Sequence, residues 1–260
     1  MKNILNKIFS SKAELNSKEK SFLEIAKKTK VSEIFKAISN YKESSEIRYV
    51  GGCVRKILSK EKFDDIDLAT NLKPNEVKEC LESNNIDFFE TGIEHGTITA
   101  RVDEKNFEIT SLRKDILTDG RHAKVEFTNE WNEDALRRDF TINSIYSDKE
   151  GNLFDPNDGV KDLEIGKVEF IGDPEKRIKE DYLRILRYIR FFINYSKQDH
   201  KLNVKKIIKQ NISGVIKLSK ERLINELKKL VTSKGFTKIC DDEFCKEILL
   251  LIFPQLKNID

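Results

Sequence analysis

Residues 48–70 read RYVGGCVRKILSKEKFDDIDLAT. Ile47, Tyr49 and Val50 make a short apolar strand that runs into Gly51-Gly52. The pattern then predicts a basic helix from about Cys53 to Ser59 and a second strand carrying Asp65 and Asp67. Side chains alternate along a strand, so Asp65 and Asp67 share a face. Two inward-facing carboxylates side by side repel each other unless a cation lies between them. Hard cations such as Mg²⁺ take oxygens from one or two carboxylates and from the phosphates of a substrate. A diglycine between strand and helix lets backbone approach a phosphate closely, and the helix start presents free N–H groups. Alone, each part is a common turn. Their order within so short a stretch points to a metal–triphosphate site.

On the N-terminal side, Phe22, Ile25, Ala26, Ile34, Phe35 and Ile38 recur at helical spacing and predict one or two packing helices. On the C-terminal side, Pro74 marks a helix start, and that helix runs to about Ser83. Strands are expected at Ile86–Glu90, Thr97–Val102 and Asn106–Thr110, the last two joined by a hairpin turn at Asp103. Glu108 alternates with Phe107 and Ile109. It is either a third carboxylate beside Asp65 and Asp67 or a residue of the sheet surface. Residues 112–124, LRKDILTDGRHAK, lack periodicity and read as a mobile loop. A short helix from Trp131 to Arg138 begins acidic and ends basic, as the helix dipole prefers.

From Pro174 onward the pattern is helical. A helix over Glu180–Phe192 sets Asp181, Arg184, Arg187 and Arg190 three residues apart on one row. Such a row is either a salt-bridged face or a reader of phosphates and base edges, the natural ligands of arginine. Ser219 is placed to cap a further helix, and Pro254 stops the last one. The apolar run Ile248–Leu256 motivates an expectation of self-association through the C-terminal helices.

Composition sets bounds. Charged residues are 36% and apolar residues 38%, with 16 Phe, which suffices for a core and argues against global disorder. A net charge of +3 does not by itself announce a polyanion ligand, although Lys and Arg crowd the segments after Arg177. No apolar run approaches a membrane span, and residues 1–12 lack the sustained apolar region of a signal peptide. The four Cys are scattered. Cys240 and Cys245 have no His close in sequence, which speaks against zinc, and free thiols fit a reducing cytoplasm.

Several motifs now fall into a family's order and spacing: GGCVRK at 51–56, DID at 65–67, EITSLR at 108–113, DGRH at 119–122, RRDFTIN at 137–143, DPNDGVKDL at 155–163, EDYLRILR at 180–187 and SKERLINEL at 219–227. With these the chain resembles the bacterial and eukaryotic type of tRNA nucleotidyltransferases, the CCA-adding enzymes, and their relatives the bacterial poly(A) polymerases. The resemblance runs from about Ile47 to Leu230. It implies an α+β fold: a DNA polymerase β-like nucleotidyltransferase head, with a small mixed sheet and flanking helices, followed by an all-α neck. The expected division is an N-terminal helical extension (1–44), the head (45–173) and the helical neck with a partial body (174–260).

The resemblance further implies CMP and AMP addition to the 3′ end of tRNA from CTP and ATP, with Mg²⁺ on Asp65 and Asp67 and catalysis by these two with Glu108. It assigns nucleotide contacts to Gly51, Gly52, Arg55, Arg137, Arg138, Asp139, Asn143, Asp181, Arg184, Arg187 and Arg190, with Asp181 and Arg184 hydrogen-bonding the incoming base. The loop at 119–122 resembles the element that helps switch from C to A addition. Lys56 departs from the Asp usual at that position, and family members run well past this chain's end. Addition of A alone, or poly(A) synthesis, shares nearly all these motifs. A non-catalytic RNA-binding relative would be expected to lack the carboxylates that this chain retains.

Overall fold

Tyr49 and its neighbours decide where the sheet sits. In the strand β1 (Ile47–Val50) the side chains of Ile47 and Tyr49 enter one apolar cluster while Val50 enters another, as the period of two requires. The computed structural model describes residues 21–258, apart from 26, 28, 64 and 119–122. The chain divides into two compact units. One comprises Met1–Lys114, Val125–Arg138 and Ile142–Val160, and the other Asp115–Lys124, Asp139–Thr141 and Lys161–Asp260.

The first unit is built on β1 with β2 (Asp67–Thr70), β3 (Asp87–Gly92), β4 (Thr97–Val102) and β5 (Lys105–Ser111). With β8 (Tyr146–Ser147) and β9 (Leu153–Phe154) these form a seven-stranded sheet in the order β3-β4-β5-β2-β1-β8-β9. The sheet is mixed: β2 runs parallel to β5, and its other pairings are antiparallel. The β4–β5 hairpin closes on the two residues Asp103 and Glu104, both in the left-handed region at φ 48° and 63°. A separate two-stranded sheet consists of β6 (Arg113–Thr118) and β7 (Ala123–Phe127).

Three helices of the first unit, α1 (Val31–Ser39), α2 (Gly52–Leu58) and α3 (Pro74–Ser83), supply the larger cluster. Phe22 and Phe35 flank the fully buried Tyr49 ring at 5.5 and 4.8 Å. Ile34 and Ile38 from α1, Val77 and Leu81 from α3, and Leu68, Ile98 and Ile109 from the sheet complete it with no exposed surface. Each such side chain contributes roughly 1.5–3 kcal/mol by leaving water. Pro74 starts α3, and Glu76 returns a carboxylate to the Lys73 N–H at 2.8 Å, fixing that boundary. The opposite sheet face carries a smaller cluster of Val50, Ala69, Leu112, Trp131, Ala135 and Tyr146, to which α4 (Trp131–Leu136) contributes. The helix α5 (Gly159–Glu164) follows β9.

In the second unit, Asp173 caps α6 (Pro174–Glu180), accepting from Lys176 N at 2.8 Å. Then come α7 (Leu183–Tyr195), α8 (Leu202–Asn211), α9 (Lys220–Val231) and α10 (Glu243–Ile252). Phe140, Phe170, Tyr188 and Phe191 pack their rings together at 4.7–6.3 Å and anchor α7. Ser219 caps α9 as expected, accepting from Arg222 N, and Pro254 lies just beyond the end of α10. In α10, Ile248 and Leu249 are buried and Leu251 is exposed.

The structure departs from the sequence expectations at three places. The strand after the diglycine begins at Asp67, not at Asp65, which lies exposed in the segment before it. Strands at 113–118 and 123–127 occupy most of the stretch over 112–124 where a mobile loop is expected, because charged side chains hide a backbone pairing that no local period reveals. The DGRH stretch itself lies outside the described residues. The single helix expected over Glu180–Phe192 is broken. Asp181 is extended, at φ −153° and ψ 106°, between α6 and α7. Its carboxylate accepts from the Leu183 N–H at 3.1 Å, the local competition by which Asp favours helix boundaries over interiors.

Candidate functional site

In the first unit, Asp67 opens β2 directly opposite Glu108 of β5, in register across the parallel pair. Their in-register successors Leu68 and Ile109 both enter the large core, so Asp67 and Glu108 share the other face. Asp65 precedes buried Ile66 and is exposed, Asp67 is half-buried and Glu108 is exposed. Asp67 and Glu108 therefore line an open face and are not inward-pointing, and Asp65 is a surface residue of the segment just before that strand. The oxygens of Asp65, Asp67 and Glu108 do not form a set within 4.8 Å, so the three make no closed cage. Acceptor-only groups displayed as Asp67 and Glu108 are can offer oxygens to a hard cation and leave its remaining positions to phosphate and water. Asp65 and Glu108 make no side-chain hydrogen bond or ion pair among the described residues, which suits that use.

Helix α2 holds this edge. Cys53, which burial pushes up to a pKa of about 11, donates its thiol to the backbone oxygens of Val50 and Asp67. Gly51 sits at φ 68° and ψ −119°, which a side chain would strain. A Cβ there would lie 3.5 Å from Arg138 Nη1 and 3.8 Å from the Asn143 carbonyl, so the diglycine, Arg138 and Asn143 are neighbours. Buried Arg55 donates through Nη1 to the side-chain oxygen of Asn143. Gly51, Gly52, Arg55, Arg138 and Asn143 thus come together in one unit.

Asp134 organises the arginines, and the sequence reading does not single it out. It precedes Arg137 by three residues and Arg138 by four, one helical turn, which is the signal that could have found it. Its Oδ1 takes Arg137 Nε at 2.8 Å, while its Oδ2 takes Arg138 Nη2 at 3.1 Å and the Tyr146 hydroxyl at 2.6 Å. Burial would raise the Asp134 carboxyl, but the charges of Arg138 and Arg137 and the Tyr146 hydrogen bond hold it well below the usual carboxylate range. Burial works against the charged Arg138 too, and Tyr146 and Asp134 outweigh it and raise its pKa.

The second unit holds the remaining candidates. Asp139 is buried and takes both Nε and Nη2 of Arg187 on one oxygen at 2.6 Å. Glu226 of α9, 3% exposed, takes Arg190 Nε at 2.6 Å and lies 4.0 Å from Arg187. Desolvation opposes the charge on Arg187, and Asp139 and Glu226 more than offset it, so its pKa is raised. Asp181 accepts from Arg222 Nη2 at 2.7 Å. Arg184 donates to the Arg177 carbonyl at 2.7 Å and to Glu180 at 2.5 Å. Burial, then the charge of Arg184, brings Arg177 down to about 10. The three arginines of the expected row are therefore tied to carboxylates of α6, α9 and the 139–141 segment, and its Asp181 to Arg222 of α9. Glu180, Arg222 and Glu226 lie within motifs that the sequence displays without a role assigned to them.

Residues 47–169 match the family model described as the poly A polymerase head domain. The chain is 49% identical over 193 residues to the human mitochondrial CCA tRNA nucleotidyltransferase 1, covering 73% of this chain and 44% of that one. It is 35% identical over 226 residues to the CCA-adding enzyme of Lactobacillus helveticus (strain DPC 4571), covering 82% and 55%. The crystal structure of Bacillus stearothermophilus CCA-adding enzyme in complex with CTP superposes with a TM-score of 0.69 at 28% identity, covering 80% of this chain and 49% of that one. The chain thus spans about half the length of the relatives it matches. No helix among the described residues is long and apolar enough to cross a membrane. An α+β head on a mixed sheet, the diglycine edge beside Asp67 and these likenesses agree, and the chain belongs, over the part they cover, to the family of the CCA-adding tRNA nucleotidyltransferases.

Proposed function

We propose that this chain adds CMP and AMP to the 3′ end of tRNA from CTP and ATP, without a nucleic-acid template. The observation that carries the proposal is the register of Asp67 with Glu108 on an open sheet face beside the diglycine edge, in a chain 49% identical to a CCA tRNA nucleotidyltransferase. Asp65 and Asp67 would hold Mg²⁺, which when bound supplies charge neutralisation for an in-line displacement at the α-phosphate. Glu108 is the adjacent carboxylate on the same face. Gly51 and Gly52 leave room for a triphosphate, and Arg55, Arg137, Arg138 and Asn143 supply donors to it and to the ribose. In the helical unit, Asp181 accepts from an exocyclic amino group and Arg184 donates to a ring acceptor, a pairing that cytosine and adenine can both satisfy. Asp139, Arg187 and Arg190 would add nucleotide contacts there, with Arg187 held by Asp139 and Arg190 by Glu226. Four free cysteines suit a reducing compartment such as the cytoplasm.

The test is direct. A tRNA transcript lacking its three terminal nucleotides is incubated with CTP, with ATP, and with both, and products are resolved on a sequencing gel. CTP alone is expected to extend the transcript, ATP alone to leave it unchanged, and both together to complete CCA. The head-domain match to the poly(A) polymerases favours one second reading, addition of A alone. That reading would appear as extension by ATP without CTP.

A second expectation concerns base choice. Asp181→Ala should lower the ratio of kcat/KM for CTP over UTP, whose base carries a carbonyl in place of the exocyclic amino group, by about tenfold, the worth of one charge-assisted hydrogen bond. The KM for triphosphate should move less. Steady-state kinetics with each nucleotide reads both, and an unchanged ratio removes Asp181 from the base site.

A further inference from the structure

The fold brings His200 to two side chains that lie forty-two and forty-five residues further along the sequence. His200 precedes α8, and Asp242 and Cys245 lie at the start of α10. His200 Nε2 stands 2.9 Å from Asp242 Oδ2 and 3.6 Å from Cys245 Sγ, and the three ligand atoms lie within 4.8 Å of one another. We propose that His200, Asp242 and Cys245 form a second metal site, for Zn²⁺ or a cation of similar softness, separate from the nucleotide chemistry.

Ligand type, spacing, support and access all bear on this. Imidazole with thiolate selects zinc-like cations over Mg²⁺, which prefers oxygen alone. Zinc bonds of about 2.0–2.3 Å in a tetrahedron put neighbouring ligand atoms about 3.3–3.7 Å apart. The His200–Cys245 separation already has that value, and the His200–Asp242 pair opens by a few tenths of an ångström to reach it. The imidazole is held for the purpose. Its Nδ1 is 2.9 Å from the Tyr188 hydroxyl, its ring stacks on Phe192 and it meets Phe244 edge-on. A metal-ligating His commonly has such a partner on its second nitrogen. Asp242 divides its oxygens: Oδ1 caps α10 by accepting from Cys245 N at 2.8 Å, which leaves Oδ2 for the cation.

Cys245 is fully buried, and the His200 and Asp242 side chains are 8% and 23% exposed, so the cluster opens on the Asp242 side. A cavity of about 270 Å³ lined by Phe192, Ile193, Ser196, Lys238, Asp241 and Asp242 lies there, with room for a water as fourth ligand. Thiolate, carboxylate and divalent cation sum to zero net charge. Bound there, the ion would tie the start of α10 to the segment between α7 and α8. The plain alternative is a helix cap hydrogen-bonded to histidine with the thiol as a further partner of that ring, and it predicts no cobalt–thiolate band.

The whole chain, reduced and stripped of metal, is titrated with Co²⁺ alone. The expected result is one equivalent bound with a thiolate-to-cobalt charge-transfer band in the near ultraviolet, displaced by Zn²⁺. The band should vanish in Cys245→Ser and persist in Cys240→Ser. In Asp242→Asn, whose side chain still caps α10, the Co²⁺ affinity should fall about 10- to 100-fold or more while circular dichroism stays native. Absence of the band in the unaltered chain, its survival in Cys245→Ser, or its loss in Cys240→Ser instead would overturn the proposal. None of these outcomes bears on nucleotide addition, which is read separately.

Discussion

Asp67→Ala is expected to lower nucleotide addition by about 10³-fold or more, since a single preorganised electrostatic group is worth 10²–10³ and this one would hold the cation itself. The variant should fold. The Asp67 contact that seats α2 is made by its backbone oxygen with Cys53, and alanine keeps that oxygen. Asp67→Asn, which keeps the shape and removes the charge, should lose nearly as much. RNA binding by filter retention should stay within about threefold, because the phosphate backbone is gripped by cations and not by this carboxylate. Single-turnover addition to a shortened tRNA measures the loss. Activity within tenfold of the unaltered chain would remove Asp67 from the metal site.

The second large effect is on stability. Asp134→Ala leaves two arginines and a tyrosine hydroxyl around an empty position that is 1% exposed. Breaking one partner out of a buried ion pair costs about 3–5 kcal/mol, and that is the expected fall in unfolding free energy by urea titration. The same group sets a pH dependence. Its carboxyl is held below its ordinary value in the folded chain, so the stabilisation is fully present above the unfolded Asp pKa of about 4. It is lost as pH falls from there through the folded value. Urea midpoints of the unaltered chain should therefore drop below about pH 4, and those of Asp134→Ala should drop less steeply. Parallel pH profiles would remove this assignment. Activity should suffer as well, because Arg138 borders the diglycine turn.

How much of this was legible in the sequence depended on how local the cause was. Pro74, Ser219 and Pro254 mark helix boundaries through chemistry within a few residues, and all three fall where expected. The β4–β5 hairpin is written in its β-branched residues and its turn. The register of Asp67 with Glu108 was not legible, because a parallel pairing forty-one residues apart leaves no trace in either strand alone. Nor was the break at Asp181, where one side-chain hydrogen bond overrides a helical period that continues on both sides. The absence of a neighbouring histidine argued against a metal at Cys245. The fold supplies His200 from forty-five residues away.

The turn at Asp103 and Glu104 does more than reverse the chain. With Val102 paired to Lys105, it counts out the ladder that brings Thr99 opposite Glu108. One residue inserted there and taken up by the strands would slide β5 by a pleat and offer Phe107 to the polar face in place of the acid. A solvent-facing bend thus carries a length restriction as strict as a side-chain identity on the carboxylate face.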